Sequence, residues 1–416
     1  LAVAAAAPLL AEAPKPAVFG PPAAFDSPAA AAALASPPGI VSRSAVLLDI
    51  ATGTALFEKD ADAVIAPASL TKLMTMHLVE EAVAAGRASY GDFVDLPPET
   101  WAVNQGWGSS LMFLGPGQKV TLGELMLGLA VASGNDAAIA VAIHLSGSVP
   151  AFVAAMNHEA AAIGLKATRF VEPSGYSEKN LTTAREFAAF CRYYLQRHPD
   201  SLARFHSVRS FAYPQPANLP EAFRDKPGTV VQSNRNQLLD SVPGVDGLKT
   251  GFIVEAGYNI ALTADRGGTR LLAVLLGAPG ASAAEGGKVR GADGANLLEW
   301  GFANFRTIRP ELVRLEPSRV WMGTADRVDL VPTAGLEFTA ASDRALAVAW
   351  RIERTPGLKA PIAAGQTLGS LVFSDERGEL SRVPLAAAAD VAAGPWYKRA
   401  VDAVAIWFLE LFGRSY

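Results

Sequence analysis

Apolar and polar positions alternate from Ser44 in a way that predicts a β-hairpin: Ala45-Val46-Leu47-Leu48-Asp49-Ile50, the turn Ala51-Thr52-Gly53, then Thr54 to Glu58. Helical spacing follows from about Ser69 through Ala85, with Gly86 as the stop. The face through Leu70, Leu73, Met74, His77, Leu78 and Glu81 begins apolar and ends polar, so the first turns are expected to be buried and the last to be wet. Thr121 caps a second helix through Leu129 and beyond. It breaks at Ser133-Gly134-Asn135 and resumes from Asp136 to Leu145. Further helices are predicted from Phe152 to Ile163, ended by Gly164, and from Thr182 or Thr183 to Leu195. Residues 205 to 235 read as extended chain. The runs Tyr258 to Ala264 and Thr269 to Leu276, joined by Arg266-Gly267-Gly268, predict a hairpin of a central antiparallel sheet, closed by a helix from about Asp293 to Asn304.

The pattern changes near Thr307. Residues 307–392 carry short alternating runs, such as Arg327 to Val331 and Ser370 to Phe373, with frequent turn residues, and predict a small all-β domain. Residues 393–416 hold a helix, Pro395 to Phe412. Tyr397, Ala400, Val401, Val404, Trp407, Phe408, Leu411 and Phe412 share one broad face, Lys398, Arg399, Asp402, Glu410 and Arg414 lie mostly opposite, and Ile406 and Leu409 are exceptions. Its charges and short apolar run exclude an ordinary membrane span. It suits a helix lying in the membrane interface, with docking of the aromatic face on another domain as the alternative. Residues 1–40, rich in alanine and proline, read as the tail of an export signal and a disordered linker. The remaining domain, 41–306, holds the helices and the sheet.

Composition narrows the function. The 416 residues carry a net charge of −4, without the basic surplus of a nucleic-acid binder. Cys191 is the only cysteine, so no internal disulfide can form. His158-Glu159 begins like a zinc-protease motif, but Ala162 stands where its second histidine should be. No metal or cofactor is expected, and no phosphate-binding glycine loop occurs.

Within the first helix, Ser69 and Lys72 lie one turn apart. A lysine three residues on can point its amine back at the serine oxygen, and a desolvated amine can act as base near neutral pH. Taken alone, the pair reads more readily as a helix cap with a surface lysine. The Ser133-Gly134-Asn135 break adds to the picture, because it is costly between two apolar helices unless something uses it. So does Lys249-Thr250-Gly251, before the last two strands.

These three motifs, in this order, resemble those of the low-molecular-mass penicillin-binding proteins, the serine-type D-alanyl-D-alanine carboxypeptidases of peptidase family S11. The likeness runs from about Ser44 to Tyr416 and includes Gly108 to Leu114, Met156-Asn157, Asn234-Arg235-Asn236 and Val245-Asp246-Gly247. It implies an α/β (α+β) domain of the serine β-lactamase and transpeptidase type with a central antiparallel sheet, then a small all-β domain and a C-terminal amphipathic helix. The activity implied is removal of the terminal D-alanine from a peptidoglycan stem peptide, with β-lactams as acylating inhibitors, at the outer face of the cytoplasmic membrane in the periplasm. Ser69 would be the nucleophile, Lys72 its base and Ser133 the proton relay. Asn135 would hold the substrate amide, Lys249 would add positive potential, Thr250 would bind the terminal carboxylate, and Arg290 would be a second carboxylate partner. The strand at Lys249-Thr250-Gly251 would pair with the peptide, and the backbone N–H groups of Ser69 and Phe252 would form the oxyanion hole. Phe252 replaces a common histidine, Glu172 a usual asparagine and Tyr176 a usual leucine, which puts the geometry of the Glu172 loop in question. A β-lactamase and a catalytically idle peptidoglycan-binding protein are the rival readings. The chain has no E-x-x-L-N-like deacylation motif after Ser133, and an idle module has no need of a nucleophile with its base.

Overall fold

The computed structural model describes residues 36–311, 315–344 and 348–412, so the signal and linker expected before residue 36 lie outside the described residues. It divides into two compact units, one spanning Ser36–Phe302 and one from Ala303 on.

The first unit is built on a five-stranded antiparallel sheet. Strands β1 (Ser44–Asp49), β2 (Ala55–Lys59), β3 (Val245–Ile253), β4 (Gly257–Arg266) and β5 (Thr269–Ala278) lie in the order β2-β1-β5-β4-β3. Both hairpins expected from the sequence are present. β1 sits between β2 and β5, so its residues are buried on both faces, which is why Ala45-Val46-Leu47-Leu48 is an unbroken apolar run. β3 lies at the sheet's edge.

Helix α1 (Lys72–Ala84) follows a single 3-10 turn, Ala68–Thr71. Here the structure corrects the sequence reading. Along the face named above burial does fade, to intermediate at Leu78 and Glu81, but it fades later than expected, because His77 is fully buried. The reason is chemical, because the polar His77 finds partners inside. Its ring lies 2.9 Å from His198 and 3.0 Å from Glu159, edge-on to Phe190, Tyr193 and Tyr194. The Thr121 cap forms as a full capping box with Glu124 and opens α2 (Leu122–Leu127), which continues as one π-helical turn to Ala132. After the break come α3 (Asn135–Ser146), α4 (Val149–Ile163) and α5 (Ala184–Arg197). Gly164 ends α4 in the left-handed conformation. Residues 205 to 235 include one extended hairpin, Ser210–Tyr213 with Val230–Ser233.

The closing helix α6 spans Ala283–Asn304, ten residues earlier than the sequence suggested. Gly286, Gly287 and Gly291 conceal its first turns, since glycine is a poor helix former, and Gly294 follows in the part that was expected. Two of these glycines are there for packing. A Cβ on Gly286 would stand 2.0 Å from the Tyr258 ring and one on Gly294 2.4 Å from Leu262, so α6 lies directly on β4.

In the second unit a four-stranded antiparallel sheet is formed by Leu330–Pro332, Ala349–Arg354, Thr367–Asp375 and Gly378–Ala387, over a core that includes Phe338, Leu371, Phe373 and Leu385. Helix α7 (Trp396–Leu411) packs on this unit through the side that carries its charges. Ile406 is buried, Asp402 accepts the Met322 N–H (2.6 Å) and Lys398 pairs with Asp326. Trp396, Val401, Val404, Trp407, Phe408, Leu411 and Phe412 remain exposed.

Gly286→Ala tests the contact of α6 with the sheet. The alanine gains about 1 kcal/mol of helix propensity but overpacks Tyr258. A net loss of about 1–2 kcal/mol is expected in urea unfolding.

Candidate active site

Ser69 lies in the turn that feeds α1, and Ala68 before it takes a left-handed backbone (φ 51°). A non-glycine residue held there is strained and persists only when its surroundings over-determine it. The surroundings do so from two sides. Gly175 (φ +82°) approaches so closely that a Cβ on it would stand 1.8 Å from the Ala68 carbonyl oxygen. Gly251 of β3 presses from the other side, where a Cβ would stand 3.0 Å from the Ser69 nitrogen. Asn259 of β4 adds a tie, donating to the Ala66 carbonyl at 2.9 Å.

Lys72 is fully buried at the start of α1. Its Nζ lies 3.0 Å from Ser69 Oγ, 2.8 Å from Asn135 Oδ1 and 2.5 Å from the Ser174 carbonyl. Burial brings its pKa down to about 7, against the opposing pull of Glu172 and Asp136 and with a further push from Arg235. A neutral amine has two hydrogens and one lone pair. Asn135 Oδ1 and the Ser174 carbonyl can only accept, so they take both hydrogens and the lone pair is left for the Ser69 hydroxyl. This arrangement can remove a proton from Ser69.

The Ser133-Gly134-Asn135 break is used. Ser133 caps the π-helical turn with a left-handed backbone (φ 60°) and is nearly buried. Asn135 opens α3, donates from Nδ2 to Ser109 Oγ (3.1 Å) and from its backbone to the Ser110 carbonyl (2.8 Å). Asp136, which the sequence reading passed over, fixes the facing loop by accepting the N–H groups of Met112, Phe113 and Leu114. Its signal was legible as an acid placed directly after the break, at the first turn of a helix.

On β3, Lys249 and Thr250 are buried, and Lys249 Nζ donates to the Thr250 carbonyl (3.1 Å). Phe252 is half-exposed and stacks on Tyr258 (4.2 Å between centroids). Arg290 reaches from α6 to the Gly251 carbonyl (3.2 Å) and lies over the Tyr258 ring. Arg235 is a second residue to which the sequence reading gave no role, naming it only within the matching stretch Asn234-Arg235-Asn236. Burial lowers its pKa, and its charge bears on both Lys72 and Lys249. Lys249 is held well below the usual lysine range by burial first, then by Lys72, Arg235 and Arg290. Beside this cluster a cavity of about 430 Å³ is lined by Arg235, Gln237, Leu238, Lys288 and Arg290 among others, and its charged residues are all cations.

Away from Ser69, His77, Glu81 and His198 bring ligand atoms within 4.8 Å of one another, a possible metal-ligand set. They are already partnered: His77 with His198 and Glu159, and Glu81 with Arg197 (2.7 and 3.0 Å).

A family model for D-alanyl-D-alanine carboxypeptidases matches residues 31–280. The chain belongs to that family. It is a serine-type carboxypeptidase, a hydrolase of the penicillin-binding protein class. A model for the C-terminal domain of penicillin-binding protein 5 matches residues 313–393 of this carboxypeptidase. The chain is 32% identical over 389 residues to D-alanyl-D-alanine carboxypeptidase DacC of Escherichia coli, covering 90% of each chain. It is 33% identical over 355 residues to D-alanyl-D-alanine carboxypeptidase DacF of Bacillus subtilis, covering 84% of this chain and 86% of the relative. The crystal structure of penicillin binding protein 5 from Haemophilus influenzae superposes with a TM-score of 0.75 at 32% identity, covering 86% of this chain and 99% of that one. The mixed domain with its central antiparallel sheet, the all-β domain and the C-terminal helix therefore agree with the fold expected from the sequence.

The buried Lys72 makes a pH-dependent prediction. Between its folded pKa of about 7 and the ordinary lysine value of 10.5, the unfolded chain binds a proton at this site that the folded chain does not. The site therefore adds stability as pH rises through that window, by about 1.4 kcal/mol per pH unit at most. Urea unfolding of wild type and Lys72→Met between pH 7 and 10 is expected to show the wild type gaining on the variant by this slope.

Proposed function

We propose that this carboxypeptidase removes the terminal D-alanine of peptidoglycan stem peptides through an acyl-enzyme on Ser69, and that β-lactams acylate the same oxygen. The observation that carries this reading is the lone-pair accounting at Lys72, which supplies a neutral base at hydrogen-bond distance from the Ser69 hydroxyl. Lys72 takes the Ser69 proton as Oγ bonds to the carbonyl carbon of the penultimate residue. The C–N bond then breaks, and Ser133 passes a proton to the departing D-alanine nitrogen. Water takes the place of D-alanine in the second half, and its attack on the ester frees Ser69. The backbone N–H groups of Ser69 and Phe252 act as donors to the developing oxyanion, a role favoured by the close passage of β3 over Ser69.

Recognition follows from the same geometry. β3 is an edge strand, so an extended peptide can add to it, with Asn135 holding the peptide amide. Thr250, Lys249, Arg235 and Arg290 form a cationic end suited to a terminal carboxylate, and the neighbouring cavity has no acid to oppose it. The free aromatic face of α7 supports attachment to the outer face of the cytoplasmic membrane in the periplasm, because the helix docks on its own unit by the opposite side.

Labelled penicillin and a peptide ending in D-Ala-D-Ala test the first part. Persistent label on wild type with D-alanine release is expected, and Ser69→Ala should lose both by about 10⁴-fold or more. Rapid turnover of the penicillin would favour a β-lactamase, and no label, turnover or release would overturn any enzyme reading at Ser69. Deleting residues 394–416 should release the protein from membranes. Continued membrane binding by that truncation would refute the role given to α7.

A further inference from the structure

The loop Phe170 to Ser177 holds two of the three departures named above, Glu172 and Tyr176, and Glu172 has the denser set of hydrogen bonds. Its carboxylate accepts from the Ser174 N–H (2.7 Å), the Ser174 hydroxyl (2.5 Å), the Gly175 N–H (2.6 Å), Asn180 Nδ2 (2.9 Å) and the Ser177 N–H (3.4 Å). Five donors are more than the roughly four lone-pair sites of a carboxylate, so the four short bonds saturate it and the 3.4 Å contact from Ser177 is secondary. Two of the residues held this way are the ones that touch the candidate catalytic pair. Ser174 presents its carbonyl to Lys72 Nζ, and Gly175 abuts Ala68 next to Ser69. The loop is pinned to α1 from its other side, where Thr75 donates to the Pro173 carbonyl (2.7 Å) and Asn180 donates to Thr71 Oγ1 (3.2 Å).

We propose that Glu172 is a positioning residue for acylation: its carboxylate fixes the Ser174 carbonyl that orients the Lys72 amine towards Ser69, and it places a fixed negative charge beside that amine. This rests on the reading of Ser69 as nucleophile and Lys72 as base. Four charged groups bear on Lys72: Glu172 from this loop, Asp136 from α3, Arg235 from the segment after the Val230–Ser233 strand, and Lys249 from β3. The two acids favour its charged form and the two cations oppose it. Burial would otherwise drive the amine lower still, so Glu172 helps to hold it where both protonation states are accessible near neutral pH.

Glu172→Gln and Glu172→Asn remove the charge and leave a neutral acceptor. Lys72 must lose its proton to act as base, so a lower lysine pKa moves the acid limb of the acylation rate to lower pH. The measurement is the second-order rate of acylation by labelled penicillin from pH 4.5 to 9, with thermal melts to identify folded variants. Both neutral variants are expected to shift the limb down by about half a pH unit or more. Glu172→Asp keeps the charge but shortens the reach, so it should hold the wild-type limb and lose about 3-fold or more of the plateau rate. A limb that stays put in whichever neutral variant folds, or a plateau unaltered in Glu172→Asp, would overturn the proposal while leaving the acyl-enzyme reading intact. A wild type that is never acylated would overturn both.

Discussion

Everything at this site depends on one ammonium group having been taken out of water. Lys72 is at the mouth of a helix, fully buried, with two obligate acceptors at Asn135 Oδ1 and the Ser174 carbonyl. Burial makes the neutral amine affordable near pH 7, and the two acceptors decide which way its lone pair points. The rest of the first unit serves these two conditions. The core helices exclude water from α1, the break before α3 delivers Asn135, and the Glu172 loop delivers Ser174. None of these parts is useful without the others, which explains why residues far apart in sequence converge on four atoms.

A second electrostatic condition lies beside the first. Arg235 bears on both Lys72 and Lys249, and Arg290 bears on Lys249. Like charges at close range favour neutral forms, so each cation helps to keep its neighbours from holding a proton. A carboxylate brought among these groups would favour their charged forms.

Much of this was legible in the chain. The three motifs are short and local, and each marks its own element: a helix start, a helix break and an edge strand. The hairpins were visible from alternation and glycine turns, and the Thr121 cap from its glutamate three residues on. What escaped was set by tertiary contact. Gly286 and Gly287 argued against helix in sequence, yet Gly286 marks where α6 meets Tyr258. His77 looked like the start of a wet face because its partners, His198 and Glu159, lie over 80 residues away. Asp136 acts through backbone donors on another segment and Arg235 through a buried charge, so the role of each needed the fold even where its position could be noticed in sequence. Glu172 was noticed only as a deviation, and its five donors give the deviation a meaning.

The interlock at Gly175 also decides where this chain can vary. Gly175 and Ala68 meet backbone to backbone, and Gly251 closes the opposite side, so no side chain in that sandwich is free to be exchanged for a larger one. By contrast Trp107, Tyr176 and Phe252 are exposed, and Tyr176 rests its hydroxyl on the Trp107 carbonyl (3.0 Å). The backbone around Ser69 thus has no room for a larger side chain at Gly175 or Gly251, whereas these exposed aromatic rings have open space around them.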